Sequence, residues 1–521
     1  MESQWKRLYG KINNPTSQVM SSAVLMVGTL ISRFMGFFRE MAMAAIFGTT
    51  TATDTWLMAS IVPNLLFSGL NAALSNVVVP ILSGRHKTQP NDETIFVQEI
   101  FTIIVLLATV IIIGSELLAP DIVHALAPGF DGAKTSQTVT MTRIMVPTII
   151  FWAVAGLATG VLQARNIYSP TAAAPILMNV VRITTILTLG WFWGILGVSI
   201  GFTLAVASQW LYLIPALRRA EVLLSVRWSF SHPWTRQALS LSLPFMYSSS
   251  VTSIGVLVDR ILASSLPTGS ISALNYSLIV SQLPVNLLVN AYVLPKFTQF
   301  STQWNVDRNL NMSLIVRGLN VTTALIMPFA AMMIVDPHAI LRVVYQHGAF
   351  TEAATTETAY LLIFWSLGLP AAAWTAFLSR AMYARQESRV FLWLSTITIA
   401  SNIVGDFILV HPMGAAGLAL ATSGAGWVRA ALILLYLRIP CTGNRIHFLV
   451  ATVKHAVAST VLIGAAAALS CFLGANRLIN QWEVALTLSL VCLVSVVLYL
   501  YVLQIFRVVT VPMNLSSSDH T

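Results

Sequence analysis

Charged residues are scarce in this sequence. Its 521 residues include only 29 Lys and Arg and 19 Asp and Glu, together 9% of the chain, whereas a soluble domain carries about 25%. A soluble protein of this length could not cover its surface with so few charges, so the composition excludes a cytosolic enzyme. The hydrophobic fraction of 56% indicates a polytopic membrane protein, because long apolar segments are stable inside a bilayer.

Cysteine and nucleotide-binding motifs are also rare or missing. Cys441, Cys471 and Cys492 form an odd and widely spaced set, which predicts neither a disulfide framework nor a metal site. No GxxxxGK[ST] motif occurs in the sequence, so we expect no ATP hydrolysis. The net charge of +10 does not indicate nucleic acid binding, because the basic residues fall in short loops between apolar runs.

The apolar runs themselves predict an all-α polytopic membrane protein with about 14 transmembrane helices. The predicted spans are 18–47, 54–83, 97–119, 140–164, 169–192, 195–217, 236–264, 270–300, 311–335, 354–384, 388–410, 414–437, 448–474 and 482–506. Eighteen basic residues lie in one set of loops, and only Lys134, Arg342 and Arg477 lie in the other. Cytoplasmic loops carry the excess of Lys and Arg, so we expect both termini in the cytoplasm.

An internal repeat joins the two halves of the sequence. Two triplets of Arg, Gly and Pro share the same spacing: Arg39, Gly48, Pro63 and Arg260, Gly269, Pro284. A second pair of motifs keeps the same offset near 220 residues, with Gly194-x-x-Gly197 matching Gly414-x-x-Gly417. The offset predicts two six-helix bundles in the same orientation, followed by two further helices. Parallel repeats are typical of secondary transporters.

The repeat also predicts the domain organisation. We expect a cytoplasmic N-terminal segment 1–17, an N-lobe 18–220, a cytoplasmic linker 221–235, a C-lobe 236–440, a C-terminal helix pair 441–510 and a flexible tail 511–521. In such transporters the substrate path lies between the two lobes.

Ionisable residues in the first two spans are candidate substrate-binding residues. Arg33 and Arg39 lie in the first predicted helix, and Asp54 opens the second. A charge inside a membrane span is costly unless it faces a cavity or a partner, so we first consider a functional role. Arginine suits an anionic group such as a diphosphate because of its forked donors. The alternative is that Arg39 and Glu40 lie at the membrane interface and only snorkel.

A second polar group lies in the C-terminal half. Asp259 is in the seventh span, Asn402 and Asp406 are four residues apart on the eleventh, and Thr422 is in the twelfth. Residues four apart on a helix share a face, and this set of hard oxygen ligands suits an alkali or alkaline-earth cation. The alternative is that Asp259 only pairs with Arg260 and that Asp406 lies at the outer membrane surface.

Several motifs resemble the MurJ (MviN) family of membrane proteins. They are Ser32–Glu40, Ile46–Asp54, Pro63–Leu66, Val258–Ser264, Gly269–Tyr276, Gln346–Thr351 and Tyr383–Gln386. The resemblance implies a lipid II flippase of the MOP exporter superfamily. Such a protein moves the undecaprenyl-linked peptidoglycan precursor from the inner to the outer leaflet of the bacterial inner membrane by alternating access. The last two helices match the family in number and placement only, and would form the groove for the polyprenyl tail.

The resemblance also assigns residues and partners. Arg33, Arg39 and Asp54 match the family's cavity residues, and a further set matches its sodium site: Asp259, Asn402, Asp406 and Thr422, with a backbone carbonyl near Leu418. We therefore expect a lipid-linked cargo with a diphosphate headgroup, a bound sodium ion as the one cofactor, and coupling to a cation or to the membrane potential. We expect a monomer in the lipid bilayer, no nucleic acid partner and no enzymatic activity.

The chain departs from the family at five positions. Phe67 and Ser68 follow Pro-Asn-Leu-Leu where the family usually has arginine, and Ala72 replaces the usual glutamate. In the eighth helix a polar-arginine pair is replaced by Leu278 and Ile279. Either Arg182 or another basic residue compensates, or the cargo is another polyprenyl-linked saccharide. Without the resemblance, we interpret Arg182 as a neutralising or snorkelling residue.

Three functions follow from these observations. The first is a lipid II flippase, and the second is a related MOP-type exporter of a different polyprenyl-linked saccharide. The third is a membrane glycosyltransferase or polymerase, which would need a large outer loop with catalytic carboxylates. The longest predicted outer loop, about 336–353, is too short and too poor in acidic residues for that role.

Overall fold

The computed structural model describes residues 15–83, 88–289, 292–293, 308–384, 388–437, 445–473 and 481–506. Within these residues the regular structure is helical. The first eight helices are α1 (Pro15–Phe47), α2 (Thr51–Leu82), α3 (Pro90–Leu117), α4 (Ala119–Leu126), α5 (Gly132–Met145), α6 (Thr148–Ala164), α7 (Ser169–Leu187) and α8 (Leu189–Arg219). The next eight are α9 (Pro233–Ala263), α10 (Ser270–Pro284), α11 (Arg308–Val335), α12 (Pro337–Tyr345), α13 (Glu352–Leu367), α14 (Leu369–Ala384), α15 (Ser388–Met413) and α16 (Ala415–Tyr436). They are followed by α17 (Arg445–Leu473) and α18 (Gln481–Ile505).

The helices account for the predicted membrane spans. Ten helical segments are long and apolar enough to cross a membrane, and α13 with α14 makes an eleventh that is bent by 45°. The remaining long helices α1, α2 and α9 contain 33, 32 and 31 residues, and they carry the intramembrane charges noted above. Eleven and three make fourteen, so the prediction of an all-α membrane protein with about 14 spans is confirmed.

Two short helices and two breaks were not separated by the hydropathy pattern. The 8-residue α4 and the 9-residue α12 follow the third and ninth spans. The fourth span is divided between α5 and α6 at Pro147, whose ring nitrogen cannot donate a helical hydrogen bond. The tenth is divided at Gly368, where an added Cβ would lie 2.6 Å from the Ser423 hydroxyl oxygen. The two breaks lie at matching places in the repeat.

Glycine positions show how closely the two halves repeat. Gly194 and Gly414 have φ angles of 59° and 58°, in the region that favours glycine. Three residues later, a Cβ on Gly197 would lie 2.0 Å from the Leu189 carbonyl oxygen, and a Cβ on Gly417 would lie 2.1 Å from that of Leu409. Both motifs therefore build the same tight helix-to-helix turn, as the offset of 220 residues predicts.

The chain forms two compact units, each described here by itself. The first contains the residues up to Ser272 together with His347–Phe350. Its core brings together buried residues of α2, α3, α6 and α8, with Ala238 of α9. Between α8 and α9 the chain is not helical, and the backbone amide of Arg227 donates to the Thr102 hydroxyl at 2.8 Å. The domain boundaries predicted from the repeat stay predictions.

The second unit contains Ala273–Gln346 and the residues from Thr351 onward. Here α10 continues into a π-helix, Val285–Val289. α17 and α18 pack against each other and against α11 through small and large apolar residues, among them Ala331, Ala458 and Tyr499. Apolar side chains of the π-helix, α11, α12 and α18 line a cavity of about 650 Å³.

Candidate functional site

A polar network joins α1 to α7 inside the first unit. The Nε and Nη2 atoms of Arg39 donate to Glu40 Oε1 at 3.1 and 2.5 Å, and Nη1 donates to Asn179 Oδ1 at 3.0 Å. Asn179 Nδ2 in turn donates to the Ser32 carbonyl and hydroxyl oxygens at 3.2 and 3.1 Å. Glu40 and Asn179 are 7% and 4% exposed. The network holds one ion pair and one amide between two apolar helices.

The three predicted cargo-binding residues occupy different surroundings. Arg39 lies within the network, and Arg33 is exposed on the same helix. The alternative in which Arg39 and Glu40 only snorkel does not fit the contacts of Arg39 with α7. The role of Arg33 and Arg39 in binding cargo stays a prediction.

Asp54 caps a helix. Its carboxylate accepts hydrogen bonds from the backbone amides of Gly269 at 2.6 Å and Ser272 at 2.9 Å. These amides lie at the N-terminus of α10, where unpaired N–H groups and the helix dipole favour a negative charge. Asp54 is only 4% exposed. This contact gives Asp54 a structural role, and a role in binding cargo stays a prediction.

Arg182 of α7 lies over two aromatic rings. Its guanidinium carbon is 4.5 Å from the ring centroid of Phe202 in α8 and 5.9 Å from that of Trp56 in α2. Arg39, Glu40 and Arg182 line the same small cavity, together with Trp56 and Phe202. Two guanidinium groups and one carboxylate therefore meet at one place in the first unit.

The predicted cation ligands are divided between the two units. Asp259 belongs to the first, where it attracts Arg260 electrostatically. In the second unit, Asn402 Nδ2 donates to Asp406 Oδ2 at 2.5 Å, and the Thr422 hydroxyl donates to the Leu418 carbonyl at 3.0 Å. Asp406 is 0% exposed, so its carboxylate is enclosed by protein.

The oxygen atoms of Asn402, Asp406 and Thr422 fit a hard cation better than a transition metal. No cluster of three or more His, Cys, Asp or Glu side chains able to hold a metal occurs among the described residues. Carboxylate, amide and hydroxyl oxygens are ligands that suit a hard cation. The sodium site itself stays a prediction.

Sequence reasoning missed the partners of the two arginines. Asn179 was not singled out, although it lies three residues before Arg182 and therefore on the same face of α7. Trp56 and Phe202 resembled ordinary core residues, because an aromatic residue in an apolar helix carries no sign of its partner. Leu278 and Ile279 are half-buried on α10, and the side chains of Phe67, Ser68 and Ala72 lie outside the described residues.

Comparisons with known proteins identify the family of this chain. The family model for the lipid II flippase MurJ matches residues 43–493. The chain is 29% identical over 437 residues to a probable lipid II flippase MurJ of Rhizobium meliloti, covering 80% of each chain. It is 27% identical over 423 residues to the lipid II flippase MurJ of Burkholderia cenocepacia, covering 79% of this chain and 82% of that one.

Solved structures show the same fold. A lipid II flippase MurJ in an inward closed conformation superposes with a TM-score of 0.78 at 24% identity, covering 93% of this chain and 99% of that one. A multidrug resistance MATE transporter of the MOP superfamily, in an inward-facing conformation, superposes with a TM-score of 0.67 at 12% identity. That match covers 80% of this chain and 97% of that one.

The helix order and the internal repeat define a polytopic α-helical membrane protein with the fold of solved MurJ and MATE transporters. The family match extends over most of the chain and includes both halves of the repeat. The chain belongs to the MurJ family of lipid II flippases.

Proposed function

We propose that this protein moves lipid II from the inner to the outer leaflet of the bacterial inner membrane by alternating access. The family match over residues 43–493 carries the proposal. The chemistry of the chain supports it, because a lipid-linked saccharide has a charged head and an apolar tail. The first unit offers a charged network at Arg39, and the second offers an apolar cavity.

The apolar cavity suits the tail of the cargo. Its walls come from α10 and the π-helix, α11, α12 and α18, and include Leu288, Met333, Ile340 and Leu493. Its volume of about 650 Å³ lies in the range of ligand-binding pockets. We infer that part of the polyprenyl chain lies here while the headgroup crosses the membrane.

A native cysteine makes the tail proposal testable. Cys492 lines the cavity and is partly exposed. In a Cys441→Ser, Cys471→Ser background, a small membrane-permeant maleimide should label Cys492, and undecaprenyl phosphate should slow the labelling severalfold. Octyl glucoside at the same concentration serves as the control. Equal labelling rates with and without the lipid would contradict a tail in this cavity.

We infer that transport is coupled to a sodium ion. Asp406 and Asn402 would hold the ion, together with Thr422. The ion supplies positive charge to a buried carboxylate that otherwise lies in a medium of low dielectric constant. The fully buried position of Asp406 supports this assignment.

We further propose a monomer with both termini in the cytoplasm. The excess of basic residues in one set of loops supports this orientation. Reporter fusions placed after residue 521 and after residue 130 should report opposite sides of the membrane. The same side for both would contradict the orientation.

Complementation tests the cargo. A strain depleted of its own lipid II flippase should grow when this protein is expressed, and growth should be lost with Arg39→Ala at equal protein levels. Arg143→Gln is the matched control, because Arg143 is half-exposed on α5 and pairs only loosely with Glu116, at 3.9 Å. Failure of the wild-type chain to rescue, despite good expression, would favour a MOP-type exporter of another polyprenyl-linked saccharide. Leu278 and Ile279 at the usual arginine position favour that second candidate.

A further inference from the structure

Arg182 is a cation whose hydrogen-bond donors are unused within the described part of the chain. It lies over the rings of Phe202 and Trp56, and its guanidinium donates to no other described side chain or carbonyl. A guanidinium carries five N–H groups in a fixed fork. The aromatic faces hold the charge by cation–π attraction and leave the edge of the fork available.

One carboxylate, Glu40, lines the cavity together with two guanidinium groups, those of Arg39 and Arg182. Glu40 attracts Arg182 and Arg39 repels it, but Glu40 already accepts two hydrogen bonds from Arg39. The group formed by Arg39, Glu40 and Arg182 therefore carries a net positive charge. Positive charge at membrane depth is costly unless an anion accompanies it.

The space beside these side chains matches a single oxygen atom. The cavity lined by Arg39, Glu40, Trp56, Arg182 and Phe202 has a volume of about 10 Å³, which is about enough for one water molecule. A phosphate oxygen is of similar size. The cavity can therefore admit one oxygen of a phosphate group whose remaining atoms stay outside.

When the two halves of the sequence are aligned by their repeat, two residues of this cavity occupy the positions of predicted cation ligands. With the offset of 220 residues, Arg182 corresponds to Asn402 and Phe202 corresponds to Thr422. The second half thus presents oxygen ligands for a cation where the first half presents a guanidinium. A guanidinium with a free fork is the complementary chemistry, because it binds phosphate oxygens.

We propose that Arg182, together with Arg39, binds a phosphate oxygen of a diphosphate group. This inference deepens the proposed transport of lipid II, on which it rests, because the diphosphate links the saccharide of such a cargo to its tail. Arg182 then supplies a cation in a chain that lacks the arginines expected at Phe67 and Ser68 and at Leu278 and Ile279.

Binding to the purified full-length protein tests the proposal. The probes are undecaprenyl diphosphate and undecaprenyl phosphate in detergent, and sodium pyrophosphate as a free diphosphate. Arg182→Gln should weaken binding of undecaprenyl diphosphate by about tenfold or more and binding of the monophosphate by less. The affinity of Arg182→Lys for undecaprenyl diphosphate should lie between that of the wild type and that of Arg182→Gln, because an ammonium keeps the charge and loses the fork.

Controls separate a binding role from a structural one. Arg143→Gln should bind the diphosphate lipid as the wild type does, and Arg182→Lys carries the test if Arg182→Gln does not fold. Competition by pyrophosphate that disappears in the Arg182 variants shows that the site also takes a free diphosphate, and no competition shows that it requires the lipid-linked group. Unchanged diphosphate binding in both Arg182 variants overturns the proposal.

Complementation distinguishes this proposal from the transport function. If the wild-type chain rescues growth and Arg182→Gln binds the diphosphate lipid as well as the wild type does, the flippase function is supported and the Arg182 site is contradicted. If diphosphate binding depends on Arg182 but the wild-type chain does not rescue growth, the site is supported and lipid II is contradicted as the cargo.

Discussion

Arg182 in α7 and Asn402 in α15 are separated by the 220-residue offset of the repeat, and the side chains around them differ in charge. Around Arg182 are Phe202 and Trp56, whose rings stabilise a cation. Near Asn402 is Asp406, a buried carboxylate at a position that corresponds to Ile186 in the first half. The two halves therefore keep equivalent helices and differ in the charge that their side chains carry or can accept.

The backbone of the two halves is kept by close helix contacts. A Cβ on Gly201 of α8 would lie 2.3 Å from the Thr185 hydroxyl oxygen of α7. In the second half the corresponding pair is Ala421 and Gly405, where a Cβ on Gly405 would lie 3.0 Å from the Ala421 Cβ. The glycine lies on the second helix of the pair in the first half and on the first helix in the second half, but the close contact is present in both. Close packing thus constrains the pair rather than either residue, which leaves nearby polar positions free to diverge.

The largest difference between the halves should follow from Asp406→Asn. If Asp406 holds a cation, this change should lower sodium affinity by at least about 100-fold, because removing one charged partner of a buried ion costs about 3 to 5 kcal/mol. An ion that binds only the folded protein raises its melting temperature, so sodium chloride should stabilise the wild type more than choline chloride does. That difference should disappear in the variant, together with growth rescue.

Asp121→Asn is the matched control for this change, because Asp121 is exposed on the short helix α4. It should keep the full response to sodium. A sodium response that persists in Asp406→Asn would contradict a cation site at Asp406 and the contrast between the two halves.

A smaller effect should follow from Asp54→Ala. Asp54 corresponds to Asn275 in the second half, so its capping carboxylate belongs to the first half alone. Removing it leaves the buried amides of Gly269 and Ser272 without their acceptor, which should cost about 2 to 3 kcal/mol of stability. Asp54→Asn keeps one acceptor oxygen and should lose about half as much. Thermal melting in detergent measures both, and equal melting temperatures for all three proteins would contradict the cap.

The sequence predicted the fold better than the contacts of the candidate site. Apolar runs separated by basic loops predict the spans, and the Gly194 and Gly414 motifs predict the shared turn, because each signal lies within a few consecutive residues. The contact between Arg39 and Asn179 joins residues 140 positions apart, so no local sequence pattern predicts it. The cation–π contacts of Arg182 are of the same kind, since they arise only when α2, α7 and α8 pack together.

The packing equivalence itself can be tested with Gly201→Ala. The added methyl group meets Thr185 and should destabilise the first unit by about 1 to 3 kcal/mol. The double variant Thr185→Gly, Gly201→Ala recreates the pair found at Gly405 and Ala421, and should recover most of that loss. A double-mutant cycle of melting temperatures measures the coupling. Losses that simply add would show that the two helix pairs pack differently.

The smallest effect concerns the short helices. α12 begins after Asp336, whereas α4 begins after Leu118. Burial raises the pKa of Asp336, and the hydrogen bond donated by Ser470 at 2.7 Å only partly opposes this. A carboxyl with a raised pKa stabilises the fold when protonated, so its contribution is lost as the pH rises through that value. Between pH 4 and pH 7 the melting temperature of Asp336→Asn should therefore rise slightly relative to the wild type.

Ser470→Ala should make the melting temperature fall more steeply with pH than in the wild type, because it removes the donor that favours the charged form of Asp336. A difference in melting temperature between Asp336→Asn and the wild type that stays constant with pH would contradict this role of Asp336.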